Sequence, residues 1–327
     1  MTAPPVPEIR PRQIRLEACS ACQLRCPSCP TTTRATLPVI GTGWLTFDSF
    51  RKLVDDNPWV EEIELSNYGE MFLNPQLLQI MEYSHQCGLS LTCDNGTNFN
   101  HVSEEAVEAL VKYSFRSITC SIDGASPDTY GVYRIGGDFN RVLANIRRLN
   151  HYKEQYQSQF PFLTWQFVVF GHNEHELPAA QQLARQLGMT FYAKLSWNSQ
   201  FSPIRDVEAV RRDIGIGAAT REEFREKHGV VYLDDICAQM WEAPQINWDG
   251  KVLGCCRNCW GDFGSNALTD GLLQSINCER MGYARQMLLG QVPPRADVPC
   301  TTCEVYIDRR RTQHWVSVGA LQRPVES

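Results

Sequence analysis

The chain has no apolar run approaching the roughly 20 residues that a membrane-spanning helix needs. Its first residues, Met-Thr-Ala-Pro-Pro-Val-Pro-Glu, lack the charged-then-apolar text of a secretory signal. Excess positive charge is absent too: 31 Lys and Arg face 37 Asp and Glu, leaving a net charge of −6. That balance gives nucleic acid or an anionic membrane nothing to bind, and a basic run such as Arg309-Arg310-Arg311 reads as solvated surface. There is no internal repeat and no low-complexity tract. Together these absences predict a cytoplasmic globular protein whose partners include neither nucleic acid nor membrane. At 327 residues it can bury a sizeable core, as one large domain or a domain with an appendage.

Cysteine is abundant instead, with 14 residues. In a reducing compartment these serve as metal ligands or buried apolar groups more readily than as disulfides. Four fall between positions 19 and 29, seven between 237 and 303, and only Cys87, Cys93 and Cys120 lie between. The pattern suggests two metal-rich ends around a scaffold.

The scaffold reads as alternating strands and helices. Strands are expected at 14–17, 63–65, 89–93, 117–122, 165–170 and 191–195. Thr46 and Ser103 are placed to cap helices carrying Phe47, Phe50, Leu53 and Val54, and Ala106, Val107, Leu110 and Val111. Further helices fit 75–87, stopped by Gly88, then 139–152, and 176–187, stopped by Gly188. Alternation of this kind implies an α/β fold with a parallel sheet, and six units imply an open or partial barrel, not the closed eight-unit one. Ligands then sit at the carboxyl ends of the strands. The expected division is an N-terminal extension at 1–13, a core domain at 14–200, a linker with short helical pieces at 201–235, and a small Cys-, Gly- and Trp-rich domain at 236–327 that needs a metal for rigidity.

Cys22-Gln-Leu-Arg-Cys26-Pro-Ser-Cys29 places three thiolates in one compact loop after the first strand. A cubane iron–sulfur cluster normally takes four cysteines, so three leave one iron open to another ligand. A structural zinc knuckle with Cys19 as fourth ligand, or plain buried thiols, are the alternatives. Near the other end, a hairpin over 244–252 with Asp249-Gly250 at its turn would bring Cys237 and Cys255 together, and Cys300-Thr-Thr-Cys303 would close the site. Four thiolates suit zinc or a fully ligated cubane. Cys256, Cys259 and Cys278 are surplus, and Cys259 or Cys278 could replace one member, whereas Cys256 is expected to point away.

The spacing of Cys22, Cys26 and Cys29, with Gln23 and Leu24 between, resembles that of the radical SAM superfamily. The resemblance runs from about Ile14 to Tyr306. It implies a partial (β/α)6 barrel in which the open iron of a [4Fe-4S] cluster binds S-adenosylmethionine, whose reductive cleavage gives methionine and a 5′-deoxyadenosyl radical that abstracts a substrate hydrogen. It further implies that Tyr68-Gly69-Glu70 corresponds to a glycine-rich segment for the methionyl amino group, with Tyr68 where a second Gly is common. Asn95, in Asp94-Asn95-Gly96, resembles a turn common in the family and reads equally as a plain turn. Ser121 would contact the ribose and Arg134 the methionine carboxylate. Asp123 would bind substrate or close its turn, and Gln166 and Asn173 could face the same pocket. Lys194 reads either as a partner for a substrate anion or as a rim charge. The C-terminal cysteines resemble the SPASM extension in its shortened, twitch form, which implies one auxiliary [4Fe-4S] cluster on Cys237, Cys255, Cys300 and Cys303.

The expected function is therefore oxidation or rearrangement of a small biosynthetic molecule, with a flavodoxin- or ferredoxin-type electron donor and the auxiliary cluster as electron acceptor or relay. Trp197, Trp241, Trp248 and Trp260 could line a dry pocket, although each alone reads as an ordinary core aromatic. Maturation of a ribosomal peptide is the alternative, disfavoured because barely a dozen residues precede the first strand. A non-catalytic iron–sulfur or zinc protein, serving as scaffold or electron carrier, is the reading from another class.

Overall fold

Six strands run parallel in a single sheet: β1 (Gln13–Leu16), β2 (Glu62–Glu64), β3 (Ser90–Thr97), β4 (Ser117–Ser121), β5 (Phe162–Val169) and β6 (Thr190–Leu195). They lie side by side in chain order, as expected when each strand returns through a covering helix. The computed structural model describes residues 7–317. The covering helices are α1 (Phe47–Asp56), α2 (Leu77–Gln86), α3 (Glu104–Lys112), α4 (Pro127–Tyr133), α5 (Phe139–Gln155) and α6 (Leu177–Gln186). Short polar side chains start them: the Thr46, Ser103, Ser126 and Asp138 oxygens accept from the amides of Ser49, Ala106, Thr129 and Arg141.

The expected elements are present, with two differences that matter. Pro127 opens α4, a helix the periodicity did not show because it is only seven residues long. Strand β3 does not stop at an Asn-Gly turn: it continues through a register shift between Cys93 and Thr97, and Asp94-Asn95-Gly96 forms that bulge. Gly96 takes φ +117°, and a Cβ there would stand 2.5 Å from Ser121 Oγ. Asn-Gly reads the same in a turn and in a bulge, so register alone decides between them.

The segment expected as a linker is folded. It contains α7 (Val207–Ile214) and α8 (Arg221–His228), and the Glu174 carboxylate accepts from the Arg205 and Asp206 amides at 3.0 Å to pin its start. The chain then returns to the sheet. Strand β7 (Gln245–Ile246) adds parallel to β1, and β8 (Val252–Gly254) adds antiparallel outside it, giving the order β6-β5-β4-β3-β2-β1-β7-β8. The C-terminal part thus shares the sheet, and one apolar cluster runs from Ile14 through Ile246 to Tyr306. Helices α9 (Gln239–Glu242), α10 (Leu272–Ile276), α11 (Glu279–Leu288) and α12 (Glu304–Thr312) complete it. The ends of the expected extension (1–6) and C-terminal domain (318–327) lie outside the described residues. Among the described residues no helix is long and apolar enough to cross a membrane.

Candidate active site

Strand β1 delivers the chain into the cysteine loop, and its neighbours clamp that loop in place. The Ala18 amide donates to Leu65 O at 2.9 Å and the Ser20 amide to Gly43 O at 3.0 Å. The buried Glu17 carboxylate accepts from the Tyr68 and Gly69 amides at 3.0 Å, and the Glu70 amide donates to Ala21 O at 2.8 Å. Burial raises the Glu17 carboxyl to about 7. Segment 68–70 is therefore laced to the loop on both sides. No side chain fits at Gly69, where a Cβ would meet Cys19 O at 2.0 Å and Ala21 O at 2.7 Å.

Cys22, Cys26 and Cys29 come together, close enough for their charges to interact, and the Cys29 amide donates to Cys26 O at 3.1 Å. Leu24, Tyr133, Val168 and Phe170 back them with apolar surface. Each of two sulfurs faces an N–H donor at 3.8 Å, Asn98 Nδ2 for Cys22 and Arg134 Nη1 for Cys26. Burial pushes the Cys22 thiol up to about 12 and raises Cys26, with Arg134 opposing the latter shift. Three thiols with N–H donors on their sulfurs and a greasy backing suit an iron–sulfur cluster, whose anionic sulfurs such donors stabilise. Cys19 stays apart, buried, with its thiol at 3.9 Å from Ala21 O.

The remaining site residues divide into those that face the mouth of the barrel and those the protein consumes itself. Glu70 is consumed: its carboxylate accepts from Thr97 Oγ1, from the Asn98 amide at 2.7 Å and from the Phe72 amide at 3.4 Å. It fastens the end of β3 to segment 68–70. Asp123 is consumed likewise, by the Val168 amide at 2.7 Å and Arg134 Nε at 2.6 Å. Asn173 gives both ends of its amide to the same corner, accepting from the Phe170 amide and donating to Asp123 O and Val168 O. Asn95 spends its amide on Asn67, at 2.9 Å from Oδ1. All four thus have partners within the protein that hold the strand ends in place. Asn67 Nδ2, beside Tyr68, is buried without a partner and is the donor this region leaves open.

Arg134 is the cation beside the thiols, and Asp123 is its counter-ion; the two side chains are 13% and 0% exposed. Asp123→Ala strands a buried guanidinium. It is expected to destabilise the protein by about 3–5 kcal/mol, seen as a lower thermal midpoint, and Asp123→Asn should cost less because an acceptor remains. A loss below about 1 kcal/mol would mean that the charge is satisfied elsewhere.

Facing the mouth is a polar row across the strand ends. Lys194 Nζ on β6 donates to Gln166 Oε1 at 3.4 Å on β5, and Gln166 Nε2 donates to Ser121 Oγ at 3.3 Å on β4. Trp241 and Trp248 pack against the main apolar core. Trp197 and Trp260 are each 42% exposed, their ring N–H groups on Ser28 O and Pro299 O, and Trp248 packs flat on Gly43.

At the other end, Cys237, Cys255, Cys300 and Cys303 line one pocket, between the short helical turn at 234–238, the end of β8 and the start of α12. Burial raises all three of Cys237, Cys255 and Cys300, Cys237 to about 12. The surplus cysteines stand elsewhere. Cys278 caps α11, its thiol against Phe263 O at 3.7 Å. Cys259 neighbours Tyr68. Tyr68 itself joins the two ends of the molecule, its hydroxyl donating to Cys256 O at 2.9 Å. Among the described residues no three His, Cys, Asp or Glu side chains converge on a single-ion site.

Solved structures with the same architecture include SuiB of Streptococcus suis bound to S-adenosylmethionine, with TM-score 0.62 and 12% identity over 90% of this chain and 71% of SuiB. SuiB bound to its precursor peptide SuiA matches at TM-score 0.61 over 92% of this chain and 71% of SuiB, again at 12% identity. BtrN in complex with AdoMet and 2-DOIA matches at 0.50, with 13% identity, over 90% of this chain and 93% of BtrN. In fold the chain is similar to these radical SAM enzymes. In sequence it is similar to an AdoMet-dependent heme synthase of Methanosarcina barkeri (strain Fusaro / DSM 804), 29% identical over 184 residues. That match covers 56% of this chain and 49% of the heme synthase, so the chain spans about half the length of the curated relative it matches. No family model matches the chain.

Proposed function

We propose that this protein cleaves S-adenosylmethionine reductively and uses the resulting radical to oxidise or rearrange a small biosynthetic molecule, with an auxiliary [4Fe-4S] cluster in the C-terminal pocket. The observation that carries the reading is the convergence of Cys22, Cys26 and Cys29 at the carboxyl end of β1, with Arg134 beside them. When bound there, a three-cysteine cluster supplies an open iron for the amino acid end of S-adenosylmethionine and the electron that breaks it.

The residues of this chain then have distinct tasks. Arg134, held by Asp123 through Nε, sets its guanidinium beside the thiols, where it would meet a carboxylate. Ser121 and Gln166 offer hydrogen-bonding groups at the strand ends where a ribose would lie. Cys237, Cys255, Cys300 and Cys303 supply a full set of four thiolates for the auxiliary cluster, the division at about residue 200 separating the two functions. A fully ligated cluster has no iron for substrate, which suits electron transfer near a substrate radical. The match to a protein named for heme synthesis supports a small molecule; the likeness to a protein that binds a precursor peptide is one of fold, and supports a peptide substrate more weakly.

Anaerobically reconstituted protein should hold about eight irons per chain and form 5′-deoxyadenosine from S-adenosylmethionine with dithionite. Bound zinc in place of iron, or a fully loaded protein that forms no nucleoside with or without added substrates, would favour a non-catalytic metalloprotein.

A further inference from the structure

Two partly buried cations stand at the end of β6 without a carboxylate to neutralise them. The Lys194 ammonium has one polar neighbour, Gln166 Oε1 at 3.4 Å. Arg221, the first residue of α8, gives Nε and Nη2 to the carbonyl of Leu195 at 3.2 and 3.1 Å and lies over the Tyr232 ring at 4.7 Å. Burial lowers the pKa of both, and Arg221 adds to the effect on Lys194. The acidic groups within electrostatic reach are already taken: Asp123 by Arg134, and Glu304 by Arg257. Among the buried arginines, Arg285 is held by the carbonyls of Met240 and Ile276 and by Asn277 Oδ1. Arg134 and Arg309 each have a carboxylate oxygen at 2.6 Å. Desolvating a charge with no partner is costly, and such sites persist where a ligand brings the missing charge.

Their location says which ligand. Lys194 belongs to the polar row of Gln166 and Ser121 at the mouth of the barrel. Arg221 holds the carbonyl of the next residue, Leu195, so both cations stand at the carboxyl end of β6, where ligands sit in such sheets. We infer that Lys194 and Arg221 dock a carboxylate of the substrate, and hence that the substrate is an organic acid. The chemistry that follows docking rests on the radical SAM reading; the docking itself does not.

The reconstituted protein would be titrated calorimetrically with glutarate and isophthalate, with their neutral diamides, and separately with S-adenosylmethionine. The acids should bind with Kd of about 1–10 mM and the diamides at least about tenfold more weakly. Lys194→Gln and Arg221→Gln should each weaken acid binding about tenfold, whereas Lys194→Arg, which keeps the charge, should stay within about threefold. Equal binding of acid and diamide, no acid binding up to about 50 mM, or unaltered affinity in both Gln variants would overturn the inference. So would Lys194→Gln losing S-adenosylmethionine while still binding the acids, since Lys194 would then serve the cofactor. A wild type that fails to bind S-adenosylmethionine but still prefers acid to diamide would sink the radical reading and leave this one standing.

Discussion

Cys26→Ala is expected to abolish formation of 5′-deoxyadenosine while leaving about four irons per chain, half the wild-type content. Cys26 is the most enclosed of the three loop thiols, 5% exposed, and Arg134 Nη1 points at its sulfur. Two remaining thiols cannot hold a cubane. Cys19, the other cysteine in reach by sequence, is tied by backbone pairing to Trp44 and has its thiol on Ala21 O, so it cannot swing in as a substitute. The second group of thiols lies across the sheet, beyond Tyr68, and shares no ligand with the first. Its iron should persist with unchanged optical and spin-resonance signatures. Cys255→Ala is the mirror experiment, in which the first cluster should survive. If Cys26→Ala still cleaved S-adenosylmethionine, the loop would not be the cofactor site. If it lost all iron, the two groups of thiols would be one cooperative site.

Much of this was legible in the sequence because periodicity and capping are local. Thr46, Ser103 and the apolar rows behind them set helices with no help from distant residues, and the cysteine spacings placed two groups of thiols that the fold then gathers. What could not be read was consumption. Glu70, Asp123, Asn95 and Asn173 have the composition of ligand-binding residues. Whether their oxygens face a ligand or the amides of Asn98 and Val168 depends on a strand register far away in sequence. Arg221 was hidden for the opposite reason: a basic residue in a charged stretch reads as surface, and only the placement of α8 beside the end of β6 ties its guanidinium to Leu195 O. The same limit applies to the C-terminal part. Nothing in Gln245-Ile246 announces that this pair continues the sheet beside β1, yet that pairing brings the second group of thiols near the first.

Gly69→Ala should be strongly damaging although it removes no functional group. The added methyl would sit 2.0 Å from Cys19 O, 2.6 Å from Ser20 C and 2.7 Å from Ala21 O, all backbone atoms that no rotamer change can withdraw. Nor can the loop retreat. Ala18 is bonded to Leu65 and Leu45, Ser20 to Gly43, and Ala21 O to the Glu70 amide. Either segment 68–70 lifts, breaking the bonds from Tyr68 and Gly69 to buried Glu17, or the chain leading into Cys22 is displaced. Overpacking of this kind costs on the order of 3 kcal/mol, and a 1 Å displacement of reacting groups alone costs about a hundredfold in rate. The expected result is a lower thermal midpoint, partial loss of the first cluster's iron and at least about a hundredfold less nucleoside. Gly131→Ala is the control. It lies within α4 with nothing within 4 Å of its would-be Cβ, and should be neutral or stabilising by about 0.5–1 kcal/mol. Wild-type iron content and nucleoside yield in Gly69→Ala would show that the loop and segment 68–70 can separate freely, and would remove the packing reason for a glycine between Tyr68 and Glu70.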